Sequence, residues 1–330
     1  MSGFKSWPSK RDSTTIRPTR AAFQASLRQR AEPSRTRTKQ PRRGTRAETL
    51  IGPCGRGGQR LRLGTLSNGI DALTAAALGV LQGLTEFLPV SSSGHVAIGA
   101  QFFDIHENSL ALVILLHLGT LLATILLLRG DIAELAMEGI AALREPSRFR
   151  STPDGRTLVG IAIATLVTGV LGWTLRDAAE AFSEDLQLVG YGFLISAACL
   201  IASSLARGNQ DEVSWRQALI VGLAQGMAVL PGVSRSGVTI AIAMLLGVQG
   251  AVSFRFSFLI SLPAILGAAL YEANGADGLG SLGPEAWIGG ATAMVTGYVA
   301  LVILRKIILV GRIWTFAIYL VPLGLYLATR

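Results

Sequence analysis

Three ionisable side chains in this sequence lie beside serine hydroxyls, within stretches that are otherwise apolar. Glu86 and His95 flank a run of three serines, and Arg235 lies between two further serines. A carboxylate and an imidazole can move protons, and a planar guanidinium among hydroxyls is suited to gripping a phosphate at two points. The combination predicts phosphoryl chemistry.

The two stretches are copies of one motif. Residues 82–94 and 225–237 align at a constant offset of 143 and share six identical positions. Each copy runs from an apolar segment into a break rich in proline, glycine and serine. At membrane depth such a break is tolerated only where it is buried in protein or lines a polar cavity. Two breaks in matching places predict a binding site where two halves of the chain meet.

The residues of the first break are suited to forming a catalytic turn. Gln82 and Glu86 are four residues apart, so they face one side of a helix that Pro89 ends. Residues 91–94 then form a turn, and His95 opens the next helix. Serine hydroxyls and free N–H groups at a helix start can cradle an anion. The alternative is a buried structural pair between Glu86 and His95.

The second break contributes the cation. Arg235 is the only charged residue between Arg216 and Arg255. Its guanidinium, with Ser234, Ser236, the N–H of Gly237 and the hydroxyl of Thr239, suits bidentate phosphate binding. The alternative is an arginine paired with an acidic residue for packing. The obvious partner is Glu86, which would itself be in the site.

Composition places the chain in a membrane. Half of its 330 residues are hydrophobic and 15% are charged, and the mean hydropathy is +0.47. Six segments have the length that crosses a hydrocarbon core of roughly 30 Å. They are 109–128, 157–175, 187–206, 286–304 and 313–329, which carry no charge, and 252–271, which carries Arg255. We therefore predict an all-α polytopic membrane protein with about six full transmembrane helices and two broken re-entrant hairpins.

The segments divide into an extension and two repeats. Residues 1–65 carry 16 Lys and Arg against 3 Asp and Glu, lack apolar periodicity, and are predicted to be a disordered basic extension. Residues 66–330 form the membrane domain, with repeat one at 71–206 and repeat two at 215–330. Each repeat has one broken hairpin, at 71–103 or 215–248, followed by three full spans. Since three is odd, the second repeat enters the membrane inverted relative to the first.

Loop charge predicts the orientation. Arginines and lysines concentrate in 129–156 and 305–312, so both should be cytoplasmic. The segments 176–186 and 272–285 are mostly acidic and fall on the opposite face. This places residues 1–65 outside, against the positive-inside tendency, so either the extension is not native or the first helix crosses fully. Residues 130–143 have the pattern of an amphipathic helix lying at the interface.

The two motifs make a specific resemblance. Residues 82–95 and 231–240 resemble the signature motifs of bacterial undecaprenyl-diphosphate phosphatases, the bacitracin-resistance family. The resemblance implies a multi-pass enzyme of the bacterial plasma membrane with an outward-facing site. It implies hydrolysis of undecaprenyl diphosphate to the monophosphate and inorganic phosphate, which recycles the lipid carrier for peptidoglycan synthesis and confers bacitracin resistance. It also implies a divalent cation, Mg²⁺ or Ca²⁺.

The resemblance also assigns roles. Glu86 corresponds to the essential carboxylate, Ser92 to the nucleophilic hydroxyl, His95 to the proton-transfer histidine and Arg235 to the diphosphate-binding arginine. Many relatives have Glu where this chain has Gln82, which puts a two-carboxylate metal site in doubt and leaves Glu86 as the main metal candidate. The predicted substrate-binding residues are Gln82, Ser91, Ser93, Gly94, Gln225, Ser234, Ser236, Gly237 and Thr239.

Several alternatives stay open at this stage. The nucleophile is Ser92, His95 or a water molecule. A polyprenyl-phosphate flippase or transporter would also have inverted repeats with broken helices, and an inactive lipid-phosphate binding protein would keep the same pocket. The expected partners are a polyprenyl diphosphate lipid and the membrane, with no nucleic acid. Self-association, polyprenyl chain length and the true start of the chain are not fixed by the sequence.

Overall fold

The computed structural model describes residues 71–103, 110–273 and 283–330. The predicted extension, residues 1–65, lies outside the described residues. Within the described residues every regular element is helical, apart from one isolated bridge between Gln210 and Val248. The prediction of an all-α membrane protein is confirmed.

Thirteen α-helices and one 3-10 turn make up the described chain. The helices are α1 (Ala72–Phe87), α2 (Ser92–Phe103), α3 (Leu110–Leu127), α4 (Arg129–Arg144), α5 (Arg148–Ser151), α6 (Pro153–Thr174), α7 (Arg176–Glu184), α8 (Leu186–Ser203), α9 (Trp215–Met227), α10 (Arg235–Leu245), α11 (Gly250–Ala273), α12 (Pro284–Leu309) and α13 (Ala317–Ala328), with the 3-10 turn at Ile313–Phe316.

Helix starts follow the capping residues of the sequence. Asp71 accepts a hydrogen bond from the backbone N–H of Thr74 and caps α1, while Thr152 caps α6 at the N–H of Gly155. Ser214 and Gln217 form a reciprocal capping box at α9. Such side chains satisfy N–H groups that the first helical turn leaves without partners. Short-range sequence signals therefore set where these helices begin.

Among the described helices four are long and apolar enough to cross a membrane, namely α6, α8, α11 and α12. A fifth span is obtained if α3 and α4, which are bent by 78° at their junction, are counted together. The bend separates the apolar α3 from the expected amphipathic helix, which is present as α4. The sixth predicted span, 313–329, forms a shorter apolar helical segment, Ile313–Ala328, which begins with a 3-10 turn.

The two halves of the chain exchange partners. Helix α1 of the first half packs along α12 of the second, and α9 of the second half packs along α6 of the first. Small residues allow this approach, since a methyl group on Gly79 or Gly83 would overlap Thr292 or Thr296. Each broken hairpin thus lies against the second full span of the opposite half. This exchange fits a two-fold relation between the repeats, and their inversion across the membrane stays a prediction.

Candidate functional site

The two breaks of the repeated motif meet inside the protein. The hydroxyl of Ser91 donates to the carbonyl of Val233 at 3.5 Å. A Cβ atom on Gly94 would lie 2.9 Å from the Cα of Gly232, and one on Gly237 would lie 2.8 Å from the Cβ of Pro89. Backbone contacts this close leave no room for side chains at the two glycines. The predicted meeting of the breaks is confirmed.

The first break is a tight turn centred on Ser91. Helix α1 ends at Phe87, and Ser91 then has a φ of 66°, in the left-handed region that non-glycine residues rarely adopt. Its hydroxyl accepts the N–H of Gly94 at 3.3 Å and lies 3.3 Å from the hydroxyl of Ser93. The side chain of Ser91 is buried. It therefore holds the turn from within and leaves Ser92 at the first position of α2.

The second break has the same serine N-cap as the first, but a different residue adopts the left-handed conformation. Ser234 caps α10 by accepting the N–H of Gly237 at 3.2 Å, as Ser91 does for Gly94. The left-handed residue here is Gly232, with a φ of 90°. Ser196 of α8 ties the break down, since its hydroxyl accepts the N–H of Ser234 at 2.8 Å and donates to the carbonyl of Gly232 at 3.2 Å. Arg235 consequently begins α10 from a fixed turn.

Glu86 is the centre of the polar contacts between the breaks. Its side chain is only 3% exposed, and its Oε1 atom forms an ion pair with Nη2 of Arg235. Its Oε2 atom accepts the hydroxyl of Ser92 at 2.7 Å and the amide of Gln82 at 3.1 Å. A buried carboxylate is stable only when its oxygens are satisfied in this way. The carboxylate is held in one orientation and is placed to take the proton of Ser92.

Arg235 pairs with Glu86, which is the pairing that the sequence analysis gave as the alternative to phosphate binding. Its contact with Glu86 joins residues 149 apart in the sequence. The side chain is 24% exposed, against 3% for Glu86. A guanidinium can therefore contact Glu86 while part of its surface remains open to a ligand. The ion pair and the predicted site are the same place.

Both ring nitrogens of His95 are bonded to groups other than Glu86, so the alternative of a Glu86–His95 pair is wrong. Its Nδ1 lies 2.8 Å from the carbonyl oxygen of Ser91, and its Nε2 lies 2.7 Å from the hydroxyl of Tyr319. A carbonyl can only accept, so Nδ1 carries the proton and Nε2 of the neutral ring accepts from tyrosine. The ring also stacks on Tyr319, with centroids 5.8 Å apart. Packing turns this imidazole toward the turn that it stabilises.

A second imidazole, which the sequence reasoning missed, lies beside Glu86. Nε2 of His117 on α3 is 3.9 Å from Oε2 of Glu86. Its Nδ1 is 2.9 Å from the carbonyl oxygen of Val113, one helical turn earlier. The available signal was a lone histidine in the uncharged segment 109–128, where a polar ionisable group indicates function.

The remaining predicted residues divide between the two sides of the break. Thr239 donates to the carbonyl of Arg235 at 2.7 Å and lies 2.5 Å from the hydroxyl of Ser257. Ser236 is buried, and its hydroxyl has no hydrogen-bond partner among the described residues. Gln225 instead donates to Thr168 at 3.1 Å and to the carbonyl of Ile260 at 3.3 Å. Thr239 thus supports α10, and the amide of Gln225 is committed to α6 and α11.

The donor set constrains how a divalent cation could bind. Among the described residues no group of three or more His, Cys, Asp or Glu side chains could hold a metal ion. Glu86 is the one carboxylate that contacts Ser92 and Arg235. Mg²⁺ is commonly bound by one or two carboxylates together with substrate phosphates rather than by an all-protein cage. The residues fit the first arrangement and do not fit the second.

A separate cavity of about 1000 Å³ lies between the start of α6 and the segment before α9. Arg150, Arg156 and Trp215 are among its lining residues. Arg156 there forms an ion pair with Glu212 at 2.7 Å. None of the predicted site residues lines this cavity, so the candidate site is the meeting point of the breaks.

Comparison with known proteins agrees with this geometry. The profile of the family described as Bacitracin resistance protein BacA matches residues 75–326, which include both breaks. The chain belongs to the BacA family. A relative from Korarchaeum cryptofilum is 39% identical over 259 residues, covering 78% of this chain and 98% of the relative. One from Treponema denticola is 41% identical over 259 residues, covering 77% and 95%. Both relatives are described as Undecaprenyl-diphosphatase.

Proposed function

We propose that this chain hydrolyses undecaprenyl diphosphate to undecaprenyl phosphate and inorganic phosphate. The reaction returns the lipid carrier to peptidoglycan synthesis and confers bacitracin resistance. The observation that carries the proposal is the set of contacts between the breaks, in which the carboxylate of Glu86 touches both a serine hydroxyl and a guanidinium. Membership of the BacA family supplies the substrate.

The first chemical step belongs to Ser92. Its oxygen forms a bond to the terminal phosphorus, and the bond from that phosphorus to the bridging oxygen breaks. The hydroxyl proton passes to Oε2 of Glu86, 2.7 Å away, and undecaprenyl phosphate leaves. A water then hydrolyses the phosphoserine, and Glu86 returns the proton to Ser92. The rival route, a water activated directly by Glu86, uses the same carboxylate without a covalent intermediate.

Arg235 supplies the positive charge for the diphosphate. Its planar fork can hold two phosphate oxygens at once, which an ammonium cannot do. Phosphate oxygens bound there would share the guanidinium with Glu86 and so weaken its hold on the carboxylate that acts as the base. Because the transferred phosphoryl group needs little covalent help, positioning and charge neutralisation supply most of the acceleration.

We assign the divalent cation to the diphosphate end of the substrate, which Arg235 also binds. Glu86 and the phosphates of the lipid would hold it, and when bound it neutralises negative charge on the diphosphate. Gln82 contributes no second carboxylate, and its amide donates to Glu86 instead. In the predicted phosphate pocket Ser91 and Ser234 cap the N–H groups of Gly94 and Gly237, and the hydroxyls of Ser93 and Ser236 would face the phosphate.

We place the protein in the bacterial plasma membrane with the site opening outward. The support is the clustering of arginines around α4 and α5, where Arg148 forms an ion pair with Glu138 at 2.6 Å. Positively charged segments are retained on the cytoplasmic side. The lipid substrate and the surrounding bilayer are the expected partners.

A flippase is the second candidate, because two broken hairpins that pack against opposite halves are a transporter architecture. A flippase would move the lipid without releasing phosphate. Glu86→Ala protein in vesicles tests this reading, since it removes the base and leaves both breaks in place. Continued flipping of polyprenyl phosphate by that variant would favour the transporter.

The test of the proposed function is phosphate release from undecaprenyl diphosphate by the purified protein in detergent with Mg²⁺ or Ca²⁺. The matched control is Glu86→Gln, which keeps size and polarity but cannot accept the serine proton as a carboxylate does. We expect turnover by the wild type and almost none by the control. A folded wild type that releases no phosphate contradicts the proposal and leaves the inactive binding protein as the better description.

A further inference from the structure

The imidazole beside the proposed base is that of His117. Nε2 of His117 and the hydroxyl oxygen of Ser92 both lie within 3.9 Å of one atom, Oε2 of Glu86. His95, the histidine nearest in sequence, is bonded through both ring nitrogens to Ser91 and Tyr319. The sequence is therefore a poor guide to which ring serves the reaction.

The tautomer of His117 is set by its own helix. The carbonyl of Val113 can only accept, so the 2.9 Å contact places the ring proton on Nδ1. In the neutral ring Nε2 then presents a lone pair on the side of Glu86. Two acceptors that face each other at 3.9 Å need a donor between or beside them. A water molecule can supply it, since protein atoms leave 36% of the His117 side chain uncovered.

We propose that His117 orients the water that hydrolyses the phosphoserine on Ser92. This inference rests on the proposed function. Nε2 accepts one hydrogen bond from the water and turns the water oxygen toward the phosphorus. The side chain touches the reacting molecule without exchanging a proton with it. Orienting a nucleophilic water is a recognised way in which proteins accelerate phosphoryl transfer.

The step balances without a further reactant. The water oxygen forms a bond to phosphorus, and the bond between phosphorus and the Ser92 oxygen breaks. Glu86 returns to Ser92 the proton that it took in the first step. The water keeps both protons on its oxygen, so the product is dihydrogen phosphate. Glu86, Ser92 and His117 all end the cycle as they began.

Three substitutions separate orientation from charge. His117→Leu removes the acceptor, and His117→Gln restores one in the amide oxygen. His117→Lys carries a positive charge and has no acceptor. We expect Leu and Lys to lower kcat by about 100-fold, the effect of misplacing a reacting group by about 1 Å. We expect Gln to stay within about 10-fold of the wild type, because an amide can orient water as glutamine does in GTPases.

The kinetic pattern distinguishes this role from a structural one. If only the second step is slowed, kcat and KM fall together and kcat/KM is unchanged. Phosphoserine at Ser92 should then accumulate in the Leu variant and be visible by intact-protein mass spectrometry. A loss of kcat/KM without phosphoserine would overturn the proposal. Rescue by Lys and not by Gln would also overturn it, because it would show an ion pair with Glu86. If Leu fails to fold, the comparison of Gln with Lys still decides.

Failure of this inference is separable from failure of the proposed function. A wild type that releases no phosphate removes the reaction itself. A wild type that turns over, alongside a Leu variant of equal kcat, leaves the reaction in place and removes His117 from it.

Discussion

The two breaks are copies in sequence and differ in what they contribute. Positions that are identical build the turn, as Ser91 and Ser234 do by capping the N–H groups of Gly94 and Gly237. Positions that differ carry the groups of the proposed reaction. At the offset of 143, Glu86 corresponds to Val229 and Ser92 corresponds to Arg235. One break presents a base and a hydroxyl, and the other presents a cation.

The difference explains why the site needs both halves. The proposed reaction uses a nucleophile and a positive charge on one phosphate, and a symmetric pair of breaks would supply two of one and none of the other. The side-chain amides diverge in the same way. Gln82 donates to Glu86, whereas Gln225 donates to Thr168 and to the carbonyl of Ile260. The amide of Gln225 thus makes structural bonds, and the amide of Gln82 bonds to the proposed base.

The largest expected effect comes from replacing Glu86, the proposed general base in the first break. Glu86→Gln should lower kcat by about 10³-fold, within the range for loss of a positioned proton-transfer group. Steady-state phosphate release from undecaprenyl diphosphate measures this. Val229→Gln, the same side chain at the equivalent position of the second break, is the matched control and should stay near wild-type turnover. Equal losses in the two variants would contradict the division of labour between the breaks.

The cation of the second break comes next. Arg235→Lys keeps the charge but loses the two-point contact with phosphate, so we expect kcat/KM to fall by about 100-fold, as for loss of one preorganised donor. The measurement is turnover over a range of lipid concentrations in detergent. Near-normal turnover in the Lys variant would show that Arg235 acts as a point charge.

Gln82 tests whether the first break holds a metal. Gln82→Glu places a second carboxylate one helical turn from Glu86, and a cation between them would offset their repulsion. We expect this variant to stay active and to need less Mg²⁺ or Ca²⁺ for half-maximal rate. Gln82→Leu should lose more activity because it removes the bond to Glu86. An unchanged metal requirement in all three proteins would place the cation away from this face.

The smallest effect is expected at Tyr319. Tyr319→Phe removes the hydroxyl bonded to His95 and keeps the stacked ring. If His95 supports the turn, turnover should fall by only about 2- to 5-fold, in line with the loss of one hydrogen bond of about 1 kcal/mol. A fall as large as that of Arg235→Lys would show that His95 takes part in the reaction.

Much of the site was predictable because its signals are local. The pairing of Gln82 with Glu86 follows from helical spacing, and the meeting of the breaks follows from the repeat. The contacts of His95, His117 and Ser196 were not predictable. Tyr319 is 224 residues from His95 in sequence, and its approach depends on how α13 packs against α8. Periodicity identifies which polar residues share a helix face. Only the packing of the helices decides which polar groups come into contact.

The number of spans shows the same limit. Hydropathy identified the apolar segments, and α6, α8, α11 and α12 are long enough to cross a membrane. It did not identify the 78° bend after α3 or the 3-10 turn before α13. Both depend on backbone geometry at segment ends, where Leu128 and Arg312 are outside regular helical conformation. Apolar composition indicates which segments are apolar helices. The exact length of each helix depends on the local backbone conformation at its ends.

If the two breaks form one catalytic unit, a double-mutant cycle of Glu86 and Arg235 shows it most directly. The measured quantity is kcat/KM for phosphate release by the wild type, Glu86→Gln, Arg235→Lys and the double variant. Residues that act as a unit give strongly non-additive losses. We expect the double variant to be about as impaired as the worse single variant. Losses that multiply, as for two independent sites, would contradict it.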